Sequence, residues 1–256
     1  MPEVRPKKHL GQHFLNDKRV AQRITESLRA DGCDTVLEIG PGMGVLTFNL
    51  SHRFGDRLTA VEVDHESVDY LKRNLPELRI IEADFLQIDI NELLKGKFAV
   101  IGNLPYNISS QIFFRIIEHR AIVPEVVVMV QREVAQRIAE KPGSRTYGIL
   151  SVLLQAFYNI EYLFTVSEGC FTPPPKVKSA VIRLTRNNVH DLGCSYTLFE
   201  RVVKAAFNQR RKTLRNSIRS AFNGIEISDT FGSKRAEQLS VANFVDLTLE
   251  VERLLS

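Results

Sequence analysis

Cysteine is scarce in this sequence, whose 256 residues contain only Cys33, Cys170 and Cys194. Because the three are far apart and odd in number, neither a disulfide framework nor a zinc knuckle is expected, and a reducing cytoplasm is the expected location. Long apolar runs are also lacking. The longest aliphatic run is VVVMV at residues 126–130, and the basic N-terminus has no apolar segment behind its charges. These absences argue against a signal peptide and a membrane span.

Acidic residues are absent from one C-terminal stretch. The formal net charge is only +4, but residues 201–219 carry a cluster of basic residues and no acid: Arg201, Lys204, Arg210, Arg211, Lys212, Arg215 and Arg219. Apolar residues at Val203, Phe207, Leu214 and Ile218 predict a buried helix face. The basic side chains would then be free to contact nucleic-acid phosphates, and the alternative is an ordinary solvated helix face.

The order of apolar patterns predicts an α/β fold. Short runs typical of buried strands alternate with amphipathic helical patterns, which indicates a mostly parallel, doubly wound sheet. Two extended runs, 154–166 and 178–186, bracket a proline-rich loop and predict an antiparallel edge hairpin. A polar linker at 187–195 precedes a helical region. We therefore predict a domain at 1–188 and a small all-α domain at 189–256. The predicted strands are 35–39, 58–63, 79–83, 98–102 and 125–130, and the helices between them are 44–53, 65–74 and 110–119.

Polar and glycine positions follow three of these strands. Gly40, Gly42 and Gly44 allow a ligand to approach the backbone after the first strand. Glu62 ends the next strand, from which a carboxylate can bind ribose hydroxyls. Asp84 follows the third, where it either binds a ligand or caps a turn. The G-x-G-x-G spacing differs from that of NAD-binding loops, so the pattern favours an adenosine-bearing cofactor without a pyrophosphate.

The corner NLPY at residues 103–106 resembles the N/D-P-P-Y corner of N6-adenine methyltransferases. In a wider set of ordered motifs, the chain resembles the bacterial rRNA adenine dimethyltransferases that modify small-subunit RNA. This resemblance extends from about residue 7 to the C-terminus and implies a Rossmann-like class I methyltransferase fold. The motifs are KKHLGQHFL, EIGPGMG, EADFL, IGNLPYNISS, MVQREVAQRI, FTPPPKVKSAVIRL and FNQRRKTLRNSI.

The resemblance also implies that the cofactor is S-adenosylmethionine. At position 13 the family usually has asparagine, and here His13 leaves the exact contact at that position open. We expect no metal, because His9 and His13 lack acidic or cysteine partners at ligand spacing. The implied cofactor positions, together with the glycine loop, are His13, Leu15, Gly40, Gly42, Glu62, Asp84 and Asn103.

The chemistry of the NLPY corner requires no acid or base. The exocyclic amine of adenine is a poor nucleophile, so the protein must orient it and return its lone pair to nitrogen. The side-chain oxygen of Asn103 and the carbonyl of Leu104 or Pro105 could accept the two amine hydrogens. Tyr106 could stack on the base. The resemblance adds Phe171 as a second aromatic wall, with core packing as the alternative.

The expected substrate is an unpaired or flipped adenosine, since a stacked duplex hides the amine. Arg5, Lys7 and Lys8 in the N-terminal arm and the basic residues of 201–219 would hold the RNA backbone. The resemblance implies dimethylation of two adjacent adenosines in the 3′-terminal hairpin loop of 16S rRNA, within a pre-mature small ribosomal subunit, by a monomer.

Two other classes share parts of this pattern. One methylates 23S rRNA and confers macrolide resistance, and the other comprises non-catalytic nucleic-acid-binding factors on the same scaffold. GNLPYNISS, FTPPPKV and FNQRRKTLRNS favour the small-subunit type. The presence of Gly40, Glu62, Asp84 and Asn103 favours retained catalysis.

Overall fold

The chain forms two compact units in the computed structural model, which describes residues 4–256 apart from the side chain of His9. Unit 1 comprises Met1–Ala135 and Asn159–Arg186, and unit 2 comprises Gln136–Tyr158 and Asn187–Ser256. The chain therefore enters unit 2, returns to unit 1 for the last strands of its sheet, and then completes unit 2.

Unit 1 is built on a seven-stranded sheet in the order β4-β3-β2-β5-β6-β9-β7. Strands β2 to β6 pair in parallel, and β9 pairs antiparallel with β6. A separate two-stranded sheet joins β1 to β8. The strands are β1 Phe14–Leu15, β2 Thr35–Ile39, β3 Leu58–Glu62, β4 Arg79–Glu82, β5 Phe98–Asn103, β6 Glu125–Gln131, β7 Tyr158–Val166, β8 Phe171–Thr172 and β9 Ser179–Arg186.

Helices connect the parallel strands and form most of unit 2. They are α1 Lys18–Ser27, α2 Thr47–Phe54, α3 His65–Asn74, α4 Ile90–Leu93, α5 Ser109–Glu118, α6 Arg132–Ala139, α7 Ile149–Gln155, α8 Tyr196–Asn208, α9 Leu214–Ala221, α10 Asp229–Gly232 and α11 Val241–Leu255. Short 3-10 turns lie at Lys8–Leu10, Gly55–Arg57, Glu168–Cys170 and Ala236–Gln238.

Local sequence explains where several helices begin. The Asp17 carboxylate accepts hydrogen bonds from the backbone N–H groups of Arg19 and Val20, which caps α1. Ser195 and Ser240 cap α8 and α11 in the same manner. Such caps satisfy backbone donors that have no partner inside the helix.

The central strands explain the depth of the core in unit 1. Val126 to Val130 in β6 are all fully buried, as are Ala99 to Ile101 in β5. Runs of β-branched residues without polar alternation are expected where helices cover both faces of a parallel sheet. The predicted α/β class, with its antiparallel edge strands and helical C-terminal region, is confirmed.

Unit 2 differs from the predicted domain boundary in one segment. The predicted boundary at residue 188 lies beside the break at Arg186 and Asn187, but Gln136–Tyr158 also belongs to unit 2. Helix α7 is buried along most of its length and packs against α8 and α11. Residues 154–157, predicted as extended, therefore end this helix and its following turn, and β7 begins only at Tyr158. Sequence pattern alone could not reveal which core receives the apolar residues of α7.

Candidate active site

A cavity of about 220 Å³ lies in unit 1 where the parallel strands end. In such sheets the carboxyl ends of neighbouring strands form a crevice in which ligands bind. Residues of the N-terminal segment before β1 also line the cavity. The residues predicted from sequence that line this cavity are His13, Leu15, Gly40, Gly42, Glu62, Asp84, Asn103, Leu104, Pro105 and Tyr106.

The glycine loop and Glu62 are held together by backbone hydrogen bonds. Gly40 and Gly42 have positive φ angles of 66° and 55°, a conformation that glycine adopts without strain. The N–H of Gly42 donates to the Glu62 carboxylate at 3.0 Å. The other carboxylate oxygen accepts from the N–H groups of Val63 and Asp64, each at 2.9 Å. Burial raises the pKa of Glu62, although these three hydrogen bonds oppose the rise.

A second carboxyl group at the cavity, Glu38, was not identified from sequence. It lies in β2, is 1% exposed, and lines the cavity. Its Oε2 atom has no hydrogen-bond partner among residues 4–256. Burial raises the pKa of Glu38 to about 8, and the nearby charge of Glu62 adds to the effect. The only sequence signal was one charged residue inside the apolar run TVLEI.

Asp84 both caps a turn and lines the cavity. One carboxylate oxygen accepts from the N–H of Leu86 at 2.9 Å, and the other accepts from the side-chain amide of Gln87 at 2.9 Å. Asp84 can therefore cap the turn and also bind a ligand, since each oxygen retains one further lone pair.

The corner after β5 presents polar atoms toward the cavity. The Asn103 side-chain amide nitrogen donates to the carbonyl of His13 at 3.0 Å, so its amide oxygen is not used in that contact. The carbonyl of Pro105 accepts from the N–H of Ile108 at 3.3 Å. For the carbonyl of Leu104, the part of the chain described here provides no hydrogen-bond donor.

Tyr106 lies between the N-terminal segment and β9. Its hydroxyl forms a hydrogen bond of 2.5 Å with the hydroxyl of Ser179. Its ring is stacked on His13, with 5.4 Å between ring centroids and 27° between ring planes. The His13 Nδ1 atom forms a hydrogen bond of 2.8 Å with the carbonyl of Pro173. One face of Tyr106 is thus covered by protein.

Phe171 is placed differently from the predicted aromatic wall. It is 3% exposed, lies in β8 opposite Leu15, and belongs to the apolar core of unit 1. It is not among the residues that line the cavity. The structure therefore favours the alternative of core packing for this ring.

An ion-pair cluster anchors the N-terminal segment over the cavity. Lys7 pairs with Asp64 and lies 3.2 Å from the carboxylate of Glu66. Burial opposes ionisation of Asp64, but hydrogen bonds from Lys7, Ser67 and Gln12 hold its pKa below the usual range. The hydrogen bond with Asp64 raises the pKa of Lys7. Lys7, expected to be available to RNA, is therefore engaged. The side chains of Arg5 and Lys8 are exposed.

Unit 2 carries the basic residues of 201–219, and its apolar set is buried as expected. Val203, Leu214 and Ile218 are at most 1% exposed, and Phe207 is 9% exposed. The expectation that all the basic residues would be free was wrong, because acidic side chains pair with several of them. These pairs are Lys204 with Glu200, Arg210 with Glu237, Arg215 with Asp229, and Arg219 with Glu226.

The remaining basic residues of this set make other contacts or none. The guanidinium of Arg201 lies 5.1 Å from the ring centroid of Phe222. Arg211 and Lys212 are exposed, and within residues 4–256 neither has an acidic partner. The sequence located these charges correctly but could not show which of them are paired.

Neither a metal-binding cluster nor a membrane-spanning helix is present among the described residues. No group of three or more His, Cys, Asp or Glu side chains within residues 4–256 is arranged to hold a metal ion. The helices of that same region are all too short or too polar to cross a bilayer.

Comparison with known proteins identifies the family. A family model described as Ribosomal RNA adenine dimethylase matches residues 4–252. The chain belongs to this family. It is 57% identical over 251 residues to Ribosomal RNA small subunit methyltransferase A of Parabacteroides distasonis. The alignment covers 96% of this chain and 94% of the relative. The chain is 56% identical to the protein of the same name from Bacteroides thetaiotaomicron, covering 100% and 97%. The resemblance drawn from the motifs is confirmed.

Solved structures agree on the fold of the dimethylase family member. A dimethyladenosine transferase from Plasmodium falciparum aligns with a TM-score of 0.80 at 22% identity, covering 94% of this chain and 98% of that one. The 23S rRNA methyltransferase ErmE aligns with a TM-score of 0.65 at 25% identity, covering 93% and 99%. The class I methyltransferase fold is therefore confirmed.

Proposed function

We propose that this protein transfers methyl groups from S-adenosylmethionine to the N6 amines of adenosines in small-subunit ribosomal RNA. The observation that carries the proposal is the orientation of Asn103. Its amide nitrogen is bound to the carbonyl of His13, which leaves the amide oxygen to accept a hydrogen from a substrate amine in the same cavity.

The cavity suits an adenosine-bearing sulfonium cofactor. A carboxylate offers about four lone-pair sites, and Glu62 uses three of them for backbone N–H groups. One site remains for a ribose hydroxyl. Asp84 and Glu38 lie on the same cavity, and no described residue forms a hydrogen bond with Oε2 of Glu38. When bound, S-adenosylmethionine would supply a methyl group that is already activated by its positive sulfur.

The protein's own contribution is orientation of the amine. Accepting both amine hydrogens makes the nitrogen more tetrahedral and restores its lone pair. Of the two carbonyls considered for the second hydrogen, that of Pro105 already accepts from Ile108. We therefore assign the second acceptor to the carbonyl of Leu104. The proton can leave to water after transfer, so no general base is required.

Tyr106 would bind the adenine by stacking on one face only. His13 covers the other face, and the hydroxyl contact with Ser179 holds the ring in place. Stacking between a base and an aromatic ring stabilises binding by about 1–3 kcal/mol and tolerates any base. The amine contacts, not the stack, would therefore select adenine.

Exposed lysine and arginine side chains of unit 2 would bind the RNA backbone. Ion pairs at an exposed surface contribute only about 0–1 kcal/mol, so the acids paired with Arg215 and Arg219 can be exchanged for phosphates. Arg211 and Lys212 require no such exchange. Contacts of this kind fix the register of the RNA without reading its sequence.

The target adenosines, the location and the oligomeric state are proposed from the family relationship. We propose that two adjacent adenosines in the 3′-terminal hairpin loop of 16S rRNA are each dimethylated, in a pre-mature small subunit, by a cytoplasmic monomer. The identity of 57% to a relative named for the small subunit, against 25% to ErmE, supports this target over 23S rRNA. A site containing Glu62, Asp84 and Asn103 in one cavity supports catalysis over a purely binding role.

The test combines substrate mapping with one substitution. Labelled S-adenosylmethionine is offered with unmodified small subunits, large subunits and naked rRNA, and the modified nucleosides are mapped. We expect dimethyladenosine in 16S rRNA, and label confined to 23S rRNA would refute the assignment. Asn103→Ala is expected to reduce transfer at least 100-fold, the effect typical of losing one oriented polar contact to a transition state. The exposed Asn91→Ala variant serves as its control.

A further inference from the structure

The loop at residues 140–146 in unit 2 connects α6 to α7 and is closed by its own side chains. The carboxylate of Glu140 accepts from the Thr146 hydroxyl at 2.9 Å and from the N–H of Lys141 at 3.1 Å. The hydroxyls of Ser144 and Thr146 are 2.8 Å apart. The contact with Thr146, followed by that with Lys141, lowers the pKa of Glu140. The one acid of the loop is therefore used to hold its shape.

Further hydrogen bonds attach this loop to the rest of unit 2. The N–H of Gly143 donates to the carbonyl of Glu237 at 2.6 Å. The side-chain amide of Gln155 donates to the carbonyls of Ile138 and Glu140, each at 2.8 Å. The guanidinium of Arg210 donates to the carbonyl of Ser144 at 3.3 Å. The loop is thus preorganised and joined to the basic segment that contains Arg210.

The loop presents two cationic side chains to solvent. Lys141 and Arg145 are exposed, and neither side chain has an ion-pair or hydrogen-bond partner in the described part of the chain. Arg211 and Lys212, next to Arg210, share this property. Arg210 is hydrogen-bonded to the loop. The loop that carries Lys141 and Arg145 is therefore joined to the segment that carries Arg211 and Lys212.

We propose that Lys141 and Arg145 form a second RNA-backbone contact, which acts together with Arg211 and Lys212. This inference rests on the proposed function, because it extends the surface that would hold the same RNA. A preorganised loop loses little conformational freedom on binding, and each cation that neutralises a phosphate releases counterions. The exposed residues between the two cations, Pro142 and Gly143, offer no large apolar anchor. Protein partners usually require such an anchor, so RNA is the favoured ligand.

The test measures how RNA affinity depends on salt. Dissociation constants for naked unmodified 16S rRNA and for unmodified small subunits are measured between about 50 and 200 mM salt, a range in which phosphate contacts weaken strongly. Each phosphate contact to single-stranded nucleic acid contributes about 0.7 to the slope of log K against log salt. Lys141→Gln/Arg145→Gln is therefore expected to reduce the slope by about 1.4. Each single substitution is expected to reduce it by about half as much.

Two variants provide matched controls. Lys141→Arg/Arg145→Lys keeps both charges and is expected to keep the wild-type slope. Lys95→Gln/Lys97→Gln removes two exposed cations before β5, at the edge of the sheet opposite the cavity, and is also expected to keep it. Affinity for S-adenosylmethionine, measured by calorimetry, should be the same in all variants.

The outcomes separate this inference from the proposed function. An unchanged slope in Lys141→Gln/Arg145→Gln, with normal methylation by the wild type, would overturn the inference alone. A reduced slope with whole subunits but not with naked RNA would assign the loop to a protein partner and also overturn it. If the wild type neither methylates small-subunit RNA nor binds it in a salt-dependent manner, the proposed function fails and the inference with it.

Discussion

Replacing the buried carboxyl group of Glu38 should change how the stability of the protein depends on pH. In the folded state the pKa of Glu38 is about 8, against an ordinary value of 4.5, chiefly because the group is buried. Between these values the folded state holds a proton that the unfolded chain has released. The stability contributed by this proton is complete below pH 4.5 and is lost as the pH rises through about 8.

The magnitude follows from linkage. One proton changes the free energy of unfolding by about 1.4 kcal/mol per pH unit. From pH 6 to pH 9, the wild type should therefore lose about 2.5 kcal/mol through Glu38, the loss ending as the folded group ionises. Glu38→Gln removes the titrating group while keeping its shape. The stability of this variant relative to wild type should rise by the same amount over that range.

Urea unfolding of both proteins at pH 6, 7.5 and 9 measures this difference, because other titrating groups contribute equally to both. The exposed Glu92→Gln variant is the control and should show a constant difference from wild type. A pH-independent difference between Glu38→Gln and wild type would show that Glu38 is ionised in the folded protein, and would refute the account of its burial.

Three further perturbations test packing and the N-terminal segment. A Cβ at Gly102 would lie 2.5 Å from the carbonyl oxygen of Ile39, so Gly102→Ala should lower the free energy of unfolding by about 1–3 kcal/mol. At Gly169 an added Cβ has no neighbour within 4 Å, so Gly169→Ala should leave the free energy of unfolding nearly unchanged. Phe171→Ala should lower the free energy of unfolding in urea by about 3–5 kcal/mol, whereas Phe171→Leu should retain methyl transfer. Loss of transfer in a stable Phe171→Leu variant would restore the hypothesis that Phe171 forms an aromatic wall. Lys7→Met should accelerate hydrogen exchange of the backbone amides in residues 7–15 and weaken S-adenosylmethionine binding, while Lys7→Arg should do neither. Equal exchange rates in the two variants would show that the ion pair does not anchor the N-terminal segment.

Much of unit 1 could be predicted because its signals are local. The strand at Thr35–Ile39 and the helix at His65–Asn74 have the predicted bounds, since a change from continuous apolar runs to 3.6-residue periodicity marks each boundary. The end of each parallel strand lies at the same edge of the sheet. Position in the strand order was therefore enough to bring Glu62, Asp84 and Asn103 to one cavity.

Contacts between distant segments required the tertiary structure. The sequence shows that Arg215 and Arg219 are basic, but their acidic partners, Asp229 and Glu226, are brought to them by the fold of unit 2. The burial of Phe171 depends on the pairing of β8 with β1. No periodicity within one segment encodes such a pairing.

The fold class, the family and the positions of the polar residues at the strand ends could be read from the sequence, because each depends on short-range pattern or on ordered motifs. Three other features required the folded structure: the protonation of Glu38, the engagement of Lys7, and the orientation of Asn103 by His13. Burial, ion pairing and hydrogen-bond direction are properties of what surrounds a side chain, and those surroundings come from residues far away along the chain.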